Sequence, residues 1–263
     1  MAAETIPTRV AHAEFGDNRL RGYSVAEDLA GKETWLGITV LGVTGKRLNE
    51  SERGMLDDLG VVMTVADPHI WPLKVTRLAS SYGSTLVGLA AGMLATEEAF
   101  IGHWAYGEAV RSLRAIRAKV RAPDDLPGIE AACRELLGSS RRLTGFGVAA
   151  RPTDERVTML VPRVAARGRD RLEHWTLFTN VADAVFQLSG LRPNIVSAGA
   201  AVFLDLGFDD REAATIGSFL SLSCYLPNAA EGAAQMPPAL QVLDVTSIRY
   251  VGPPPRDSGR STP

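Results

Sequence analysis

The chain has 263 residues, 46% of them apolar, with 28 Lys and Arg against 30 Asp and Glu for a formal charge of −2. At about 150 residues per domain this allows one large domain or two modest ones, with enough core to fold without staples. The apolar content excludes a disordered chain, and the near-neutral balance argues against a surface that neutralises phosphates, so no nucleic-acid partner is expected. Cys133 and Cys224 are far apart and form no CxxC pair, which excludes a disulfide framework or a cysteine zinc site. The first residues contain no apolar signal core, and the longest apolar run, Thr85 to Ala95, is about half a bilayer span. A cytoplasmic protein with no membrane partner is expected.

In chain order, Asn49-Glu-Ser-Glu52 reads as a cap with an acidic first turn, opening a helix to about Val65 that Pro68 and Pro72 stop. Apolar positions spaced by three and four from Val75 to Met93 predict one continuous helix. It contains Gly83, Gly88 and Gly92, each costing about 1 kcal/mol relative to Ala. Close approach of a neighbouring helix is the expected compensation, so Ser80–Ala95 should be buried. Further helices are expected at 97–119, 124–137, 170–191, 196–206 and 209–225, with breaks at 121–124, 145–147, 151–154, 192–194 and Pro227-Asn228. Any strands should be confined to a short ribbon. The fold class is all-α, with an extension at 1–19, a helical domain at 20–252 and a mobile tail at 253–263.

His69 lies in Ala66-Asp-Pro-His-Ile-Trp-Pro72, an irregular segment suited to presenting polar groups to a pocket. His103, in Phe100-Ile-Gly-His-Trp-Ala-Tyr106, reads either as a core histidine or as a site residue. No histidine spacing suggests a metal, and none is expected. Gly145-Phe-Gly147, between Arg141-Arg142 and Arg151, reads either as an ordinary turn or as a loop whose N–H groups meet an anion. Neither a GxSxG elbow, a Walker A motif nor a GxGxxG fingerprint is present.

Several segments, in order, resemble the citrate synthase superfamily and most closely its short citryl-CoA lyase branch. Leu20 to Leu29 is similar to the "RGY(D/S)xxxL" opening, Gly45 to Glu52 to "GxxLNESE", and Ala66-Asp67 to the start of "ADH". Ser80 to Met93 resembles the small-residue helix that crosses the core. Gly145-Phe-Gly147 with Asp154-Glu-Arg156 resembles "GFGHxVY…DPR". Arg192 to Ile195, leading to Phe203 to Phe208, resembles "PxNVDG…LDLGF", and Tyr250-Val-Gly252 with Arg256 resembles the closing "YxG…R".

The resemblance implies a citrate-synthase-like bundle of many helices. It also implies a chemistry in which an Asp takes a proton from acetyl-CoA, one His stabilises the enol and another polarises a carbonyl, while arginines hold carboxylates. This chain departs from the pattern at the reacting positions. Pro68 replaces the "ADH" histidine, with His69 one place on; Val148 replaces the "GFGH" histidine; Val196, followed by Ser197, replaces the "NVD" aspartate. His103 stands for the remaining histidine and Arg156 for the carboxylate-binding arginine.

The expectation is therefore a diverged enzyme forming or breaking C–C bonds on a CoA thioester or related acyl substrate, or a non-catalytic relative binding a metabolite or protein partner. His103, Asp67 and His69 are the candidate catalytic groups, Arg156 and Ser197 the substrate-binding ones, and Gly145, Phe146, Gly147 and Arg151 the CoA-binding ones. The partner would be a small acyl-CoA or carboxylate, with no tightly bound cofactor, in a homodimer or larger homo-oligomer.

Overall fold

The computed structural model describes residues 5–99, 102–148, 151–254 and 256. It opens on a three-stranded antiparallel ribbon, β1 (Ala11–Glu14), β2 (Asp17–Leu20) and β3 (Tyr23–Ser24), with Ala11 opposite Leu20 and Arg19 opposite Ser24. The ribbon runs across the boundary expected at residue 19. All longer elements are helical, as expected.

The helices α1 (Trp35–Thr44), α2 (Glu50–Met63), α5 (His103–Lys119), α6 (Leu126–Leu137), α7 (Glu155–Ala166), α8 (Glu173–Ser189), α9 (Ile195–Asp205) and α10 (Asp210–Leu220) share one large core. At its centre runs α9, in which all residues but Val196 and Asp205 are buried; a helix apolar on every side has to sit inside. Its small residues admit close neighbours. Tyr106 of α5 lies against Gly199 of α9 and Gly217 of α10, where an added Cβ would stand 3.0 Å and 2.5 Å from its ring.

A second lobe consists of α3 (Trp71–Ala79), α4 (Thr85–Glu98) and α11 (Leu222–Ala234), packed on one another around a small cluster of Leu73, Cys224 and Tyr225. Here the expectations need correction. The helix read from Val75 to Met93 is two helices, because the turn 80–84 intervenes and Gly83 takes φ +90°, a turn conformation rather than a packing role. The apolar spacing runs through this turn because α3 and α4 pack against each other. Gly88 and Gly92 do carry the close approach. A Cβ on Gly88 would stand 1.7 Å from Ser80 Oγ and 2.6 Å from the Thr76 carbonyl, and one on Gly92 1.8 Å from Thr76 Oγ1.

Burial of the whole 80–95 segment is also overturned: Leu86 is 77% and Leu94 73% exposed. The stretch 209–225 is likewise two helices, joined at Ser221, and α11 continues through the break expected at Pro227-Asn228. It does so because Asn228 Nδ2 is buried and donates to the carbonyls of Ala66 and Cys224, which ties the helix to the connection after α2. Pro72 starts α3 instead of merely ending what precedes it, since proline suits a first turn. Two helices, α1 and α7, went unread. Among the described residues after Gln235 the one element is a short 3₁₀ turn, Val245–Ser247, and most of the tail set at 253–263 lies outside the described residues.

The Thr76 carbonyl cannot move away from a side chain on Gly88 without breaking α3. Gly88→Ala should therefore lower stability by about 2 kcal/mol, despite the better helix propensity of Ala. Urea unfolding of the two proteins would measure it.

Candidate active site

Between the two lobes lies a cleft of about 1000 Å³. Its floor on the large-lobe side is set by two helix starts, α7 and α9. Asp154 caps α7, accepting from the Arg156 backbone N–H at 3.1 Å, and its other oxygen accepts the Ile195 N–H at the start of α9 at 2.8 Å. The same carboxylate binds the Arg156 guanidinium in a two-point fork, Nε and Nη2 each at 2.8 Å. Asp154 is 3% exposed. Burial pushes its carboxyl up, but the Arg156 charge and hydrogen bonds, with the Ile195 N–H, outweigh this and hold it below the usual carboxylate range. For Arg156, burial works against the charge and Asp154 more than restores it, so the guanidinium stays charged.

Arg156 lines the cleft together with Val148, which follows the Gly145–Gly147 loop, and Val196, in the first turn of α9. The loop is pinned to the approach to α9: Gly147 N–H donates to the Arg192 carbonyl at 2.7 Å, Asn194 N–H to that of Gly145 at 2.8 Å, and Asn194 Nδ2 to that of Gly147 at 2.9 Å. Tyr106 closes the bottom, its hydroxyl 3.2 Å from Met63 Sδ. From the small lobe come Leu73, Met93 and Tyr225, whose hydroxyl pairs with Thr96 Oγ1 at 2.6 Å. Burial raises the pKa of both tyrosines, so near pH 7 their hydroxyls are neutral and neither acts as a base. Arg151 lines the cleft as an ion pair with Glu155. Among the described residues, no group of His, Cys, Asp and Glu is placed to hold a metal ion, and no helix is long and apolar enough to cross a membrane.

No family model and no curated protein matches the chain in sequence. Its structure superposes on that of the citryl-CoA lyase from Hydrogenobacter thermophilus with a TM-score of 0.80, at 23% identity over 97% of both chains. This is the citrate synthase fold, in the short form of that lyase. The ATP citrate lyase of Methanosaeta concilii, solved as a mutant with (3S)-citryl-CoA, matches at TM-score 0.71 and 17% identity, over 97% of this chain but 43% of that one. The citrate synthase from Thermoplasma acidophilum, solved with carboxymethyl coenzyme A and oxaloacetate, matches at 0.54 and 17%, over 86% of this chain and 59% of that one.

The residues singled out from the sequence fare differently in this cleft. Arg156, Arg151, Gly147 and His69 line it, His69 from an exposed position. Gly102, which caps α5, also lines it, whereas the His103 side chain lies outside the described residues. Asp67 is exposed and is not among the lining residues; its carboxylate accepts the His69 backbone N–H at 2.8 Å, so it shapes the turn that carries His69. Ser197 is not among the lining residues: it is buried, its Oγ donates to the Asn194 carbonyl at 3.0 Å, and it packs under Gly145. Phe146 packs its ring against the large core and is not among the lining residues. In this loop the Phe146 and Gly147 N–H groups donate to the carbonyls of Leu143 and Arg192. Sequence reasoning matched Asp154 to the "DPR" element but gave it no role, although an Asp directly before an acidic first turn signals a helix cap, and it gave none to Tyr106, for which no signal existed.

Asp154→Asn preserves shape and cap but leaves Arg156 without its counter-charge, and should cost about 3 kcal/mol. A carboxyl whose folded pKa lies below its unfolded value near 3.9 binds fewer protons when folded. Its contribution is then complete above about pH 4 and is lost as pH falls through the folded value. The stability gap between wild type and Asp154→Asn should be full at pH 7 and shrink only below about pH 4, as read from urea midpoints across pH.

Proposed function

We propose that this chain is a diverged citrate synthase and citryl-CoA lyase-like enzyme that takes a CoA thioester or related acyl substrate into the interlobe cleft and forms or breaks a C–C bond there. The observation that carries the reading is a charged Arg156, held by Asp154, lining a large cleft beside Val148 and Val196 in this fold. In this reading Arg156 directs its remaining donors at a carbonyl or carboxylate of the substrate. The Gly145–Gly147 loop with Arg151 receives the CoA end. His103 and His69 handle protons, and Asp67 keeps the His69 turn in place. No tightly bound cofactor is required. The protein works as a homo-oligomer in the cytoplasm, and the exposed Tyr82, Leu86 and Val87 around the start of α4 support association.

The usual Asp base and one usual His are replaced by valines, which neither accept a proton nor polarise a carbonyl. A missing general base costs about 10²–10⁴-fold, and a missing carbonyl-polarising donor about 10²–10³-fold. Asp154 is no substitute, because Arg156 and Ile195 occupy its lone pairs and hold it ionised. The same observations favour a second reading, a non-catalytic relative that binds an acyl metabolite in the cleft.

Purified protein should show negligible turnover of acetyl-CoA with oxaloacetate and of citryl-CoA, and Val196→Asp alone should not restore it. Coenzyme A and acetyl-CoA should nevertheless raise the apparent melting temperature, since a ligand that binds only the folded state stabilises it. Robust citrate formation by the wild type would overturn the assignment of Val148 and Val196. Absence of any shift with coenzyme A would remove the CoA site. Arg151→Ala should weaken CoA binding several-fold, with a salt dependence typical of exposed phosphate contacts, as measured by titration calorimetry.

A further inference from the structure

We infer that the cleft selects a thioester whose acyl group is an uncharged aliphatic chain of medium length, in preference to acetyl or a dicarboxylate. This rests on the proposed reading of the cleft as a CoA-thioester site. The first support is the two facing walls. Ile70, Leu73 and Met93 line the cleft from the small lobe and Met63, Val148 and Val196 from the large one. Methionines on both sides give a surface that adapts to a flexible chain. The two valines that remove the usual chemistry also complete an apolar wall.

The second support is that polar groups of the lining are largely turned into the protein. The Tyr225 hydroxyl pairs with Thr96, and that of Tyr106 meets Met63 Sδ. Ser218 Oγ donates to the Ala214 carbonyl at 2.9 Å and Ser221 Oγ to that of Ser218 at 2.6 Å. Asn194 uses its amide on Gly147 and its carbonyl oxygen on Val196.

The third is charge. Among the described lining residues the two arginines are each already paired, Arg151 with Glu155 and Arg156 with Asp154. A dicarboxylate entering here meets no unmatched cation among them and loses its hydration, whereas an alkyl chain gains by leaving water.

The test is titration calorimetry of the full chain with coenzyme A, acetyl-CoA, octanoyl-CoA below its micellar concentration, and oxaloacetate. Each methylene buried favours binding by roughly fourfold. Octanoyl-CoA should therefore bind at least ~30-fold tighter than acetyl-CoA, even with the added chain only partly buried. Val196→Asp should remove most of that gain, read as the ratio of octanoyl-CoA to acetyl-CoA affinity in the same variant. If circular dichroism shows that this variant misfolds, Met93→Gln, nearly equal in volume, carries the same comparison. Acetyl-CoA binding with no gain for octanoyl-CoA, or oxaloacetate binding tighter than either, overturns this inference and leaves the CoA site standing. Failure of coenzyme A and both thioesters to bind overturns the inference and the proposed function together.

Discussion

One carboxylate holds the working face of this molecule together. Asp154 sits where α7 and α9 begin, and it satisfies N–H groups in both first turns while gripping Arg156. Helix starts carry unpaired donors and a partial positive charge, so an anion shared between two of them is favourable in itself. The guanidinium adds the full counter-charge that makes burial of Asp154 tolerable. With the two helix starts joined, Val196, Asn194 and the Gly145–Gly147 loop have fixed positions relative to Arg156. The cleft's floor follows from this junction.

The opposite wall follows from different physics. The small lobe is held by a cluster centred on three buried residues and by glycines that let α4 settle on α3, not by a deep core. Its contact with the large lobe is thin, and the space left between them is the cleft. The chain thus combines a rigid, densely packed half, with α9 enclosed at its centre, and a lighter half that supplies mainly aliphatic surface. Arg156 is one of the charged groups that the rigid half contributes, and it arrives already paired with Asp154. That arrangement suits binding and orientation better than proton transfer.

Much of this was legible in the residues. The capping box of Asn49 and Glu52, the stop after α2 and the all-helical class follow from local chemistry, and local chemistry decides them in the structure as well. The errors arose where tertiary contacts override local signals. Helical spacing continues from α3 into α4 because both helices face the same lobe interior, which hid the turn at Gly83. Pro227 reads as a break, but Asn228 anchors the helix beyond it. At the cleft, Arg156 and His69 are among the lining residues and Ser197 is not, because the next residue on a helix is turned about 100° from Val196. Pairing of Asp154 with Ile195 joins positions 41 apart, and no single-sequence pattern announces it.

Gly145 has a consequence for how the loop can vary. Its φ of +91° and the Ser197 side chain 2.7 Å from where a Cβ would stand both demand glycine, for reasons of backbone and packing alone. The requirement comes from the seat of one loop on one helix, and it holds whatever the cleft binds. A side chain there would be felt first as a displaced loop and a weakened junction with α9, before any change in the groups that line the cleft.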